Sequence, residues 1–116
     1  MIEAYSFGSM TVDGRVLRRD LLLVGGRVVE NWWRGEGHLL TIGDLGAILD
    51  APGPLPEVLV VGTGAQGVMR LAKGLAEELG ARGMELVAEP TGQAWKTYDS
   101  LLRAGRSVAG AFHLTC

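Results

Sequence analysis

The sequence predicts a mixed α/β (α+β) fold: N-terminal antiparallel hairpins followed by a β-α-β-α-β unit, sharing one mixed sheet. Three observations carry this reading. Asp13-Gly14 and Gly25-Gly26 each separate two short β-prone runs, and such pairs tolerate positive φ at both central turn positions. Glu57 to Val61 is almost wholly apolar, the pattern of a strand covered on both faces. Beyond it, runs with helical periodicity alternate with strands, which implies right-handed crossovers and parallel pairing.

Bulk properties bound the rest. The 116 residues are 47% hydrophobic and 21% charged, enough for one domain with its own core and no disulfide or metal. That domain spans 1–116, with a β-hairpin half at 1–40 and an α/β half at 41–116. A net charge of −2 supplies no long-range attraction to nucleic acid or anionic lipid, so neither is expected as a partner. Cys116 is the one cysteine, which fits a reducing compartment and excludes a cysteine zinc cage. No apolar run approaches the ~20 residues a membrane span needs. The opening MIEAYSFGSM lacks a signal-peptide pattern, so a cytoplasmic protein is expected, with no cofactor and no metal.

The elements follow in order. Strands are expected at about Tyr5 to Val12, Arg15 to Arg18, Asp20 to Val24 and Arg27 to Glu30. Thr41 and Asp44 have capping-box spacing ahead of Ile42, Leu45, Ile48 and Leu49, and APGPLP ends that helix. After the apolar strand, Leu71, Leu75 and Leu79 form one helical stripe ending near Gly80 or Gly83. Met84 to Ala88 is a further strand. Pro90 and Thr91 open a third helix with Ala94, Tyr98, Leu101 and Leu102 on one side and Gly105 as its C-terminal cap. Ser107 to Leu114 is the closing strand.

VLVVGTGAQG contains a literal G-x-G-x-x-G at Gly62, Gly64 and Gly67, with Glu89 22 residues further on, where a ribose-binding acid would sit in a dinucleotide fold. Three features oppose that reading: there is no room for a second half-fold, the strand does not open its domain, and Gly74 weakens the following helix by about 1 kcal/mol. A small-molecule or anion site, of a phosphate-binding protein or of a hydrolytic or transferase-like enzyme, remains open, walled by Gly62, Thr63, Gly64 and Thr91 with Arg34 or Arg70 as countercharge. Ahead of both stands the plain reading, a strand-to-helix corner that needs glycine dihedrals.

NWWRGEGH is the other dense stretch. Adjacent Trp32 and Trp33 point to opposite faces if extended, one inward and one partly exposed. Arg34 has the geometry to grip a carboxylate or phosphate, and His38 is a candidate for proton transfer. The plainer reading is a Trp anchor under a loop, with Arg34 paired to Glu36 or a terminal carboxylate. His113 and Cys116 are too few for a zinc site, and three-residue spacing along a strand separates their faces. They read as an edge-strand histidine and an inert thiol. Tyr98 is read as core with a hydrogen-bonded tip, with its hydroxyl toward the G-T-G corner as the functional option.

Four stretches in order, SFGSMTVDGRV, NWWRGEGHLL, VLVVGTG and TYDSLLRAGRSVAGAFHLTC, resemble one family of small single-domain proteins. It includes the adipogenesis-associated domain protein and the mitochondrial complex I assembly factor three; the FHLTC ending is most similar to the former. The resemblance implies a three-layer β plus α/β/α domain with a central mixed sheet. It also implies no established reaction, and assembly or regulatory roles for some members. Its G-T-G corner matches Gly62, Thr63 and Gly64, which leaves Gly67 incidental. With no mitochondrial presequence visible, the mitochondrial role is not carried over. The expectation is a non-enzymatic interaction domain with an unidentified protein partner, contacting it through Trp32, Trp33, Arg34 and His38.

Overall fold

Alternating apolar side chains decide which face of the central sheet each layer covers. The computed structural model describes all 116 residues. Its strands are β1 (Ile2–Ser6), β2 (Ser9–Val12), β3 (Arg15–Leu17), β4 (Leu21–Val24), β5 (Arg27–Val29), β6 (Leu39–Leu40), β7 (Val58–Thr63), β8 (Arg70–Leu71), β9 (Glu85–Glu89) and β10 (Val108–His113). The α-helices are α1 (Gly46–Leu49), which continues a 3-10 turn at Ile42–Leu45, α2 (Leu75–Ala81) and α3 (Thr91–Arg103). Strands β1, β2 and β3 form an antiparallel sheet, and the central sheet runs β5-β4-β10-β7-β9. Within it β10 pairs parallel with β7 and antiparallel with β4, so the sheet is mixed.

Leu22, Val24, Leu59, Val61, Ala109 and Ala111 form one face, covered by Leu45, Ile48, Leu75 and Leu79 from the α1 and α2 side. Leu21, Leu23, Val58, Val60, Val108 and Phe112 form the other, covered by Ala94 and Tyr98 of α3 and by Ile2, Met10, Val12 and Leu17 of the small sheet. Every residue of β4, β7 and β10 is buried. Period-2 alternation on a doubly covered sheet thus produces the β plus α/β/α layering. None of the helices is long and apolar enough to cross a membrane.

Both glycine turns have the geometry their residues require: φ is +48° and +80° at Asp13-Gly14, and +56° and +76° at Gly25-Gly26. The expected strand from Tyr5 to Val12 is instead a hairpin, folded at Phe7-Gly8 with Gly8 at φ +76°. A phenylalanine at the first turn position conceals that bend from a turn signature. Leu71 is also not helical. Residues 70–72 pair with 38–40 through Arg70 N–H to His38 O at 2.8 Å and Ala72 N–H to Leu40 O at 2.8 Å. Gly74 at φ +83° then starts the helix late. Tertiary backbone pairing overrode the leucine periodicity.

On α3, Leu102 is exposed and Asp99 is buried, because the Asp99 carboxylate accepts the Ile2 N–H at 3.0 Å and fastens the small sheet to the helix. Gly105, at φ +80°, closes the helix as its position suggests. Thr41 and Asp44 form the capping box that their spacing suggests: the Thr41 N–H donates to Asp44 Oδ2 at 2.9 Å, and the Thr41 hydroxyl also donates to that oxygen at 3.0 Å.

Candidate functional site

The C-terminal ends of β7 and β10 carry both stretches singled out from sequence. At the glycine corner the chain leaves β7 without entering a helix. Gly64 has φ +107°, and a Cβ there would fall on the backbone of Thr115 and Cys116. At Gly62 a Cβ would lie 2.7 Å from Thr91 Oγ1 and 2.9 Å from the Phe112 ring. Gly67, read as incidental, adopts φ +68° and donates its N–H to Gly64 O at 3.1 Å, so it completes the turn.

Thr91 is fully buried and locks this corner. Its Oγ1 accepts the Gly64 N–H at 2.8 Å and donates to His113 O at 2.6 Å. Its own N–H donates to Gly64 O at 3.0 Å, while Gln93 and Ala94 donate theirs to Pro90 O, each at 2.9 Å. Three amides at the start of α3, those of Thr91, Gln93 and Ala94, are therefore spent on the protein rather than aimed at a ligand. Thr63 Oγ1 donates to Glu89 O at 3.1 Å, and the Glu89 carboxylate accepts from Thr97 at 2.6 Å.

On the other side of residues 113–116 stands the tryptophan loop. Trp32 is 8% exposed and Trp33 80%, the division that adjacent extended residues impose. Trp32 Nε1–H donates to Asp44 O at 2.8 Å, and the Gly35 N–H donates to Asp44 Oδ1 at 3.1 Å. The Arg34 guanidinium lies 4.7 Å from the Trp32 ring centroid. Arg34 donates through Nε and Nη2 to Gly37 O at 3.0 and 2.7 Å, and through Nη2 to Asp20 Oδ2 at 2.9 Å. Neither Glu36 nor a terminal carboxylate is its partner.

Asp20, which sequence reasoning did not single out, is the hub. Its Oδ2 lies 2.7 Å from His113 Nδ1, and its Oδ1 accepts the Leu114 N–H at 2.8 Å. This fixes the imidazole tautomer: Nδ1–H donates to Asp20, so Arg34 Nη2, 3.2 Å from the same nitrogen, faces a donor and bonds the carboxylate instead. Burial by itself would raise the Asp20 carboxyl. Hydrogen bonds from His113, Leu114 and Arg34 outweigh it and hold Asp20 below its ordinary value. Arg34 Nη1 and His113 Nε2 are buried without a partner. His113 lies on β10, in the middle of the sheet and not at an edge, with exposed His38 edge-on at 5.8 Å between ring centroids.

Beside this cluster opens a cleft of about 570 Å³, lined by Arg18, Arg19, Trp32, Trp33, Arg34 and Thr115 among others. Arg18 and Arg19 are exposed and form no ion pair. The glycine corner and the tryptophan loop thus meet on opposite sides of one strand end. Arg70 lies exposed on β8, and Tyr98 packs edge-on against Phe112 at 5.9 Å, with no hydrogen bond to the G-T-G corner.

Together, layering and corner define a small mixed-sheet domain whose glycine bend is filled by its own chain. The chain belongs to the family described as protein of unknown function (DUF498/DUF598), which it matches over residues 2–113. That family includes the adipogenesis-associated domain protein and the mitochondrial complex I assembly factor three. Among solved structures, PH1505 from Pyrococcus horikoshii OT3 is similar at 25% identity and TM-score 0.84, over 100% of this chain and 99% of that one. The protein MT938 is 27% identical, with TM-score 0.80 and coverage of 100% and 98%. A Mth938-like domain from Bordetella pertussis shares the fold at 23% identity and TM-score 0.75, over 98% and 85%.

Proposed function

We propose that this domain is a non-enzymatic interaction module, an assembly or regulatory partner working in the cytoplasm. Its contact surface is the cleft edge where Trp33 stands beside Arg18 and Arg19. The observation that carries the reading is Trp33, left 80% exposed next to two unpaired arginines. Trp and Arg are enriched among the few residues that dominate binding energy at protein interfaces. Two further exposed side chains gather at the same end: Phe7, whose neighbour Gly8 donates to Leu114 O at 2.8 Å, and Val68, whose N–H donates to Cys116 O at 3.1 Å. Apolar anchors beside unpaired cations fit a partner segment that pairs hydrophobic with acidic residues. Trp32 and Arg34, both largely buried, hold the loop that carries Trp33, and exposed His38 belongs to the same proposed surface. Kinship with an assembly factor agrees with such a role.

A photo-reactive amino acid in place of Trp33, expressed in the protein's own cells, tests this. Cross-linking to one acidic protein at position 33, and not at exposed Leu102 on the far side, is the expected result; identical labelling at both positions refutes it. The second reading, a small anion at Gly62, Thr63, Gly64 and Thr91, has weaker support, because the amides there are already bonded. Stabilisation by inorganic phosphate in a thermal-shift assay would favour it.

A further inference from the structure

A second cavity, of about 440 Å³, lies at the opposite end of the central sheet, where β10 begins. It falls within the size range of small-molecule sites. Val24, Val28, Pro52, Pro54, Pro56 and Val108 supply much of its apolar wall. Proline rings fix φ along that loop, so the wall is pre-shaped. Tyr98 also lines the cavity; it is only 7% exposed and makes no hydrogen bond within the protein.

The Tyr98 ring is buried, but the hydroxyl is not among the buried polar atoms without a partner; in the lining of this cavity it is a donor open to an acceptor there. Burial, with Asp99 and Asp13 adding to it, pushes the Tyr98 hydroxyl up to about 12. It therefore stays protonated, a donor, throughout the physiological range. Arg27 and Arg106 line the cavity as well. Arg27 has no carboxylate partner, whereas Arg106 reaches Glu57 at 3.4 Å. The one carboxylate in the lining, Asp13, is matched by the Met1 amino group at 2.6 Å.

We propose that this cavity is a binding site for a small amphipathic carboxylate, its apolar body against the prolines and valines and its carboxylate facing Tyr98 and Arg27. The site is separate from the cleft at Trp33 and does not depend on a partner binding there.

Titration with octanoate, followed by calorimetry and by amide chemical shifts, tests it. One-to-one saturable binding is expected, with shifts centred on residues 24–28 and 52–56. Octan-1-ol, alike in its chain but uncharged, binds at least about tenfold more weakly, the difference of roughly 1.4 kcal/mol that a charge-assisted hydrogen bond supplies. Tyr98→Phe removes only an unbonded hydroxyl, so the fold is kept, and octanoate affinity falls about tenfold or more. Arg27→Gln weakens it about two- to fivefold, and less at high salt. Absence of saturable binding overturns the proposal. So does equal affinity for the alcohol, indifference to Tyr98→Phe, or shifts confined to the Trp33 end.

Discussion

His113 at the end of β10 and Asp20 in the loop before β4 meet at 2.7 Å, and Arg34 joins the same carboxylate oxygen at 2.9 Å. One carboxylate thereby fixes the small-sheet junction, the central strand and the tryptophan loop to each other. Asp20→Asn leaves the Arg34 guanidinium, 4% exposed in its side chain, without a countercharge. Breaking one partner of a buried pair costs about 3–5 kcal/mol, read as the loss in urea-unfolding free energy at neutral pH.

The same change carries a pH signature. The Asp20 carboxyl is held below its ordinary value, so its stabilisation is complete above the unfolded value of about 3.9. It is lost as pH falls through the lower folded value. Wild type and Asp20→Asn therefore differ most at neutral pH and converge in acid. A difference that stays constant down to pH 3 would contradict the geometry.

The glycine corner predicts a graded series. Gly64→Ala combines a positive φ with a collision against residues 115–116 and loses about 2–5 kcal/mol. Gly67→Ala meets only ordinary contacts, at 3.5 and 3.6 Å, and loses about 1–2 kcal/mol from the dihedral alone. Thermal unfolding of the two variants reads the order directly.

The paired tryptophans should separate stability from recognition. Trp32→Ala empties a buried site and orphans Asp44 O, for a loss of about 3–5 kcal/mol. Trp33→Ala stays within about 0.5 kcal/mol of wild type. Denaturant midpoints check both.

Asp99→Ala removes the acceptor of the Ile2 N–H. A buried donor left unpaired costs about 1–3 kcal/mol, and faster amide exchange at Ile2 would localise the loss to the junction between α3 and the small sheet.

The layered fold was legible because its signals are local. Asp13-Gly14 and Gly25-Gly26 announce turns through dihedrals that other residues resist, and the apolar run at Val58–Thr63 announces a doubly covered strand. What stayed hidden depends on partners distant in sequence. Leu71 fits a helical stripe until residues 38–40 claim its backbone. The role of Gly64 is set by residues 115–116, about fifty positions away. Asp20 follows two arginines in a loop and resembles any solvated charge. Only its burial against His113, 93 positions on, makes it the hub. Trp32 and Trp33 lie between these cases: extended geometry divides them, but only the packed structure says which one faces out.

The proposed interaction surface is tested most directly by native co-purification from the protein's own cells, comparing wild type with Trp33→Ala and Arg18→Gln/Arg19→Gln at matched stability. A single acidic partner retained by wild type and lost from both variants is the predicted result. Undiminished recovery of that partner with both variants would contradict the account.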